Sequence, residues 1–311
     1  MTTAIYSHPD CKRHEMGQWH PECPARLQAI QDQLIASRID GLLEHREAPE
    51  AAIVDIERVH TKEAIARVHD NATRLGNTQY YSLDPDTMLN AYSWKAALRA
   101  AGAAVAATDA VIAGEIDNAF CAIRPPGHHA RPSEAMGFCL FDNVAIAARH
   151  ALDVCGLERV AIVDFDVHHG NGTEEAFLDE PRVLMVSFFQ YPFYPYSKIR
   201  DDLPHMVNVP VPAYTTGDTV RQLVSEKWLP ALEAHRPEII FISAGFDAHR
   251  EDDLGQMGLV EADYAWITQQ IMQVADKHAK GRIVSCLEGG YNLSALGRSV
   301  VAHVKTLAGL D

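Results

Sequence analysis

Arg159-Val160-Ala161-Ile162-Val163-Asp164-Phe165-Asp166-Val167-His168-His169-Gly170-Asn171-Gly172-Thr173 is the stretch whose reading decides the fold. Its first half is a short β-branched run, which predicts a buried parallel strand over Arg159–Phe165. Beyond Ile162, Asp164, Asp166 and His168 alternate with Val163, Phe165 and Val167. While the backbone stays extended, that period of two sends the three polar side chains to one face. Two carboxylates and an imidazole at the end of a buried strand are costly unless a cation or a hydrogen-bond network holds them. Asp-x-His suits a divalent metal with mixed oxygen and nitrogen ligands, zinc foremost. Gly170 and Gly172 then let the backbone turn sharply.

Outward from this stretch, strands and helices alternate. Strands are predicted at Thr3–Tyr6, Ala119–Ile123, Val183–Phe188, Met206–Val211, Ile239–Ser243 and Ile283–Leu287. Helices are predicted from Leu27 to Ile35, Pro49 to Val68, Thr87 to Ile112, Phe141 to Val154, Asp218 to Ala234, 261 to 278 and Leu293 to Leu307. Such alternation implies βαβ units, hence an α/β chain with a central, mostly parallel sheet flanked by helices on both faces. No repeat or composition break marks a linker, so residues 1–311 read as one domain.

Composition narrows the function. The chain has 311 residues, 47% of them hydrophobic, and a formal net charge of −15, which argues against binding nucleic acid through its phosphates. Met1–Tyr6 has neither a basic segment nor an apolar one, and the Ala-rich run 96–113 is broken by Arg99, Thr108 and Asp109. No secretory signal and no membrane partner are therefore expected. The six cysteines, at 11, 23, 121, 139, 155 and 286, show no C-x-x-C spacing. That pattern suits reduced thiols, and a cytoplasmic location is expected.

Ligands of open parallel sheets bind beyond the carboxyl ends of the strands. Four predicted strand ends carry reactive side chains beside glycine: Gly127-His128-His129, Asp166-Val167-His168-His169, Gly245-Phe246-Asp247 and Glu288-Gly289-Gly290-Tyr291. The parts fit a metal hydrolase. Asp166, His168 and Asp247 would be three ligands, leaving room for water and a carbonyl. His128 and His129 would be base and electrostatic partner, with Asp164 orienting an imidazole. Tyr291 would donate to an oxyanion.

At this point the motifs resemble the zinc-dependent histone deacetylase family, in its class II-like and bacterial branch. They are Arg124-Pro-Pro-Gly-His-His-Ala130, Gly137-Phe-Cys-Leu-Phe-Asp-Asn143, Asp164-Phe-Asp-Val-His-His-Gly-Asn-Gly172, Ser243-Ala-Gly-Phe-Asp247 and Leu287-Glu-Gly-Gly-Tyr291, in the family's order. His20-Pro-Glu-Cys-Pro-Ala-Arg26 resembles its N-terminal loop. The resemblance implies an arginase/deacetylase fold and hydrolysis of an acetyl-lysine-type amide. It implies one catalytic Zn²⁺ on Asp166, His168 and Asp247. It assigns His129 as base, His128 as its partner and Tyr291 as the carbonyl-polarising phenol. It also implies a structural K⁺ held around Asp164, Asp166, His168, Ser187 and Phe188. Substrate contacts would come from Gly137, Phe138, Tyr194, Leu254 and Gly289. Asn171 stands where class I members carry an aspartate paired with the base.

The substrate would be an acetylated lysine peptide or protein, or a small acetylated amine such as an acetylpolyamine, and an oligomer is compatible with the sequence. Polyamine-selective relatives carry an acidic residue seven positions after the zinc-binding Asp; here that position is Leu254. A Leu packs against the aliphatic stem of acetyl-lysine and offers no charge to a distal ammonium. Two other readings are open. A two-manganese, arginase-type hydrolase would need carboxylates at Gly170 and His249. A catalytically silent acyl-lysine reader would have lost a ligand, a histidine or Tyr291, and none is lost.

Overall fold

The computed structural model describes residues 1–200 and 202–310. Residues 201 and 311 lie outside the described residues. In chain order the elements are β1 (Thr3–Ser7), α1 (Ala25–Ala36), β2 (Glu44–Glu47), α2 (Ile53–Ile56), α3 (Lys62–Arg74), β3 (Tyr81–Ser82), β4 (Met88–Leu89), α4 (Ser93–Ala113) and β5 (Asn118–Cys121). There follow α5 (Asn143–Asp153), β6 (Val160–Asp164), α6 (Asn171–Ala176), β7 (Val183–Gln190), β8 (Met206–Val211), α7 (Gly217–Leu223), α8 (Leu229–His235), β9 (Ile239–Ala244), α9 (Glu261–His278), β10 (Ile283–Leu287) and α10 (Leu293–Leu307).

Eight strands form one sheet in the order β2-β1-β5-β10-β9-β6-β7-β8, and every pairing in it is parallel. Alternation along the central strands fills both faces. Ala161, Val163, Ile240 and Ile242 enter an apolar cluster with residues of α1, α9 and α10. Val160, Ile162, Ile239 and Phe241 enter another with α4 and α5. Strand β6 ends at Asp164, yet Phe165 and Val167 stay in the same cluster as Val163, and backbone bonds from Phe165 N–H to Ser243 O and from Gln190 N–H to Val167 O carry the extended path onward. The consequence for function is positional. β5, β10, β9 and β6 are neighbours, and their carboxyl ends carry the four reactive segments to one edge of the sheet.

Several boundaries differ from expectation, each for a local reason. The helix expected over Pro49–Val68 is two helices, because Thr61 caps a new start by accepting from Ala64 N–H at 3.2 Å. The long helix begins at Ser93 rather than Thr87. Met88–Leu89 pairs with Tyr81–Ser82, and Asn90 and Ser93 close a side-chain turn before the helix. Between α7 and α8 a π turn at Val224–Trp228 precedes Pro230, whose missing N–H interrupts the α ladder. β2 (Glu-His-Arg-Glu) was not expected; it is an edge strand whose side chains are mostly exposed, so no apolar pattern marks it. α4 is apolar and long enough to cross a membrane, but 72% of its most apolar window is buried within the fold.

Candidate active site

The strand ends converge on a cavity of about 230 Å³ lined by Asp86, His129, Gly137, Phe138, His168, Phe193, Tyr194, Asp253, Leu254 and Tyr291. His168 is at its floor, and one ligand atom each from Asp166, His168 and Asp247 lies within 4.8 Å of the others. His168 Nδ1 is 3.0 Å from Asp166 Oδ1 and 3.1 Å from Asp247 Oδ2. Backbone donors fix both carboxylates: His168 N–H and Gly289 N–H on Asp166, Val167 N–H on Asp247. A Cβ at Gly289 would fall 2.0 Å from Asp247 Oδ2, and one at Gly245 2.0 Å from Asp166 Oδ2. Glycine is therefore required behind the pair. Gly289 thus packs directly against the two carboxylates.

The charges fit a divalent cation. Burial opposes charge on His168, yet the two carboxylates raise its pKa to about 10. Burial, and then the Asp166 charge, push Asp247 up to about 7. Two buried carboxylates that hold an imidazole so strongly form a field that a small cation satisfies, and the donor set of two oxygens and one nitrogen suits zinc. Among the described residues this is one of two groups with such ligand spacing.

Behind the floor, His128 Nδ1 lies 2.9 Å from Asp164 Oδ2, and its ring centroid is 4.1 Å from that of His129. Asp164 Oδ1 accepts from Asp166 N–H. Burial opposes a charge on His128, but Asp166 and Asp164 outweigh it and raise its pKa well above the imidazole range. Burial, with the charges of His128 and His168, drives His129 well below it. His129 Nδ1 is 2.8 Å from Asn171 Oδ1. An amide oxygen only accepts, so Nδ1 carries the hydrogen and Nε2 keeps its lone pair. One histidine is thus charged and the other a neutral base, an assignment that adjacency in the sequence does not make.

The walls are aromatic. Gly137 (φ 57°) and Phe138 (φ 68°) are both left-handed, and Phe138 N–H donates to Thr87 Oγ1 at 2.9 Å. That strained pair is held so that the Phe138 ring meets Tyr291 edge-on at 5.8 Å. Opposite, Tyr194 stands edge-on to His129 at 5.3 Å, but it shares its wall with Phe193, which lies flat on His168 at 5.4 Å and 17°. The expected single wall residue is therefore two. Burial and Asp247 raise the Tyr291 phenol well above its usual pKa, so it stays a donor. Asp252 accepts from Tyr291 N–H at 2.6 Å and Asn292 N–H at 2.9 Å, while Arg26 holds Gly290 O at 2.6 Å and lies over the Tyr291 ring. The Gly-Gly segment before Tyr291 is anchored on both sides.

Four contributors were not anticipated. Phe193 and Asp86 reach the cavity through loop conformation, and Asp253, beside Leu254, reaches it too. Thr87 positions Phe138, as above. Glu288 accepts from Gly127 N–H at 2.7 Å and His128 N–H at 3.1 Å, clamping the loop of the two histidines to the end of β10. Of the expected potassium residues, Asp164 and Ser187 are register partners on β6 and β7, and Ser187 Oγ donates to Asn208 Oδ1 at 2.8 Å. Phe188 is buried and stacks on Trp228. A second-metal carboxylate has no room at position 170, where a Cβ would lie 2.3 Å from Asp164 Oδ2.

The histone deacetylase domain profile matches residues 20–307. Histone deacetylase 14, chloroplastic, of Arabidopsis thaliana is 37% identical over an alignment covering 94% of this chain and 74% of that protein. A histone deacetylase-like amidohydrolase of Pseudomonas aeruginosa is also 37% identical, covering 94% and 77%. The crystal structure of the HDA15 HD domain superposes with a TM-score of 0.93 at 34% identity, covering 99% of this chain and 88% of that one.

Proposed function

The chain belongs to the histone deacetylase domain family and has its arginase/deacetylase fold, and from that premise we propose that it is a zinc-dependent deacetylase of acyl-lysine side chains. The observation that carries the reading is the convergence of Asp166 and Asp247 on His168, which lines a cavity with His129 and Tyr291. Asp166, His168 and Asp247 would hold a Zn²⁺, and the chemistry gained when it is bound would be Lewis-acid polarisation of the amide carbonyl and a lowered pKa of water.

The protein's own groups do the rest. His129 Nε2 takes a proton from the attacking water and passes it to the amine as the C–N bond breaks, so that acetate and a free amine leave. His128, held charged by Asp164 and Asp166, keeps its neighbour neutral and able to accept. The Tyr291 hydroxyl donates to the carbonyl oxygen as negative charge builds there. Phe138, Phe193 and Tyr194 enclose an aliphatic stem and exclude water. Asp164 and Ser187 offer oxygen donors for a K⁺ beneath the site, in keeping with the family.

Tyr291→Phe is expected to lower kcat on the order of 10²–10³-fold with zinc content unchanged, the size typical of one oxyanion donor. Metal analysis beside steady-state kinetics checks this; a wild-type kcat would remove Tyr291 from the reaction.

A second reading has one observation in its favour. Leu254 lines the cavity, but Asp253 and Asp86 do too, and carboxylates in the lining attract a distal ammonium. Glu251 and Asp252 are already engaged, with Arg298 and with the Tyr291 backbone. The test is kcat/KM for an acetyl-lysine peptide against N⁸-acetylspermidine. The peptide is expected to be the better substrate, and a clear preference for the polyamine would establish the second reading, with Asp253→Leu the variant that should reverse it.

A further inference from the structure

We propose that Asp109, His150 and Cys155 form a second divalent-metal site, suited to Zn²⁺, at the opposite edge of the sheet from the cavity. Asp109 sits in the last turns of α4 and His150 in the last turn of α5, with Cys155 just past that helix. α4 and α5 lead into the amino ends of β5 and β6, whereas the cavity lies beyond the carboxyl ends.

The geometry is that of ligands already gathered. One donor atom from each of the three lies within 4.8 Å of the others. His150 Nε2 is 2.8 Å and Cys155 Sγ 3.7 Å from the same Asp109 oxygen. Cys155 is tied to the helix end by its N–H, which donates to His150 O at 3.2 Å. The far side of the imidazole supplies an independent observation. His150 is buried, and its Nδ1 faces Asp55 Oδ1 at 3.4 Å; Asp55 in turn accepts from Arg58 Nε at 3.4 Å. With a metal on Nε2, Asp55 is placed to take the Nδ1 hydrogen, the carboxylate–histidine arrangement usual around ligating histidines.

The Asp109 side chain is 58% exposed, so a hydrated ion reaches the site from solvent. Thiolate, imidazole and carboxylate together select zinc over magnesium or calcium, and three protein ligands leave one position for water. Binding exchanges the Cys155 thiol proton, released to solvent, for a metal–sulfur bond. The bound ion would tie the end of α4 to that of α5.

Co²⁺ titration of the intact protein tests the site apart from the catalytic one, because the catalytic set contains no sulfur. Wild type is expected to bind about two ions per chain and to develop thiolate-to-metal absorption. Cys155→Ser should bind about one, without that absorption, and keep wild-type deacetylation. Asp109→Asn should weaken the same absorption, while Asp247→Asn should leave it intact. Absence of thiolate absorption in wild type, or an unchanged titration in Cys155→Ser, would overturn the site.

Discussion

Asp247→Ala is expected to abolish turnover and to release the catalytic zinc. The substitution leaves one carboxylate and one imidazole where three donors converge, and a two-ligand remnant does not hold Zn²⁺ against water. It also removes the acceptor of Val167 N–H, so loss of activity alone would not separate chemistry from packing. Asp247→Asn separates them, since the amide oxygen can still take that bond while the charge is gone. Both variants should be folded by circular dichroism, poor in zinc at the catalytic site and inactive on an acetyl-lysine amide. Full activity in either would show that Asp247 is not a ligand.

His129→Ala should lose most turnover, a fall on the order of 10²–10⁴-fold, while binding zinc and a hydroxamate inhibitor normally. The expectation rests on the opposed electrostatics of the histidine pair. His128 is clamped by Asp164 and driven toward the charged state, whereas His129 is held neutral with its hydrogen on Nδ1 toward Asn171. A neutral imidazole can accept the water's proton; one already protonated cannot. His128→Ala should therefore retain more activity than His129→Ala. The reverse order would interchange the two roles.

The arrangement of these residues was legible in the sequence to different depths. The buried strands were plain, because β-branched runs ending in Asp, His and Gly have few other uses, and reading the strand ends collected His128, His129, Asp166, His168, Asp247 and Tyr291 before any contact was known. The polar edge strand β2 and the two-residue strands β3 and β4 carry no periodic apolar signal, and the helices around them were misplaced accordingly. The rim was hardest. Asp86 and Phe193 are ordinary residues of ordinary loops, and only the path of those loops turns them into the cavity. The resemblance pointed to Tyr194 as a substrate contact, and nothing in the sequence says that the Phe193 ring lies on His168. Glu288 was visible beside Gly289, but its partners are backbone N–H groups of Gly127 and His128, which have no letter in a sequence. Gly289 is a related case. What it provides is the absence of a Cβ behind two carboxylates, and its neighbours along the chain do not reveal that.

The most direct test of the account is release of acetate from an acetyl-lysine peptide by protein stripped with a chelator and then given Zn²⁺. Stripped protein should be folded and inactive, and Zn²⁺ should restore turnover in wild type but not in Asp247→Asn. Turnover that survives removal of the metal, or a zinc-loaded wild type that releases no acetate from any acetylated amine, would contradict it.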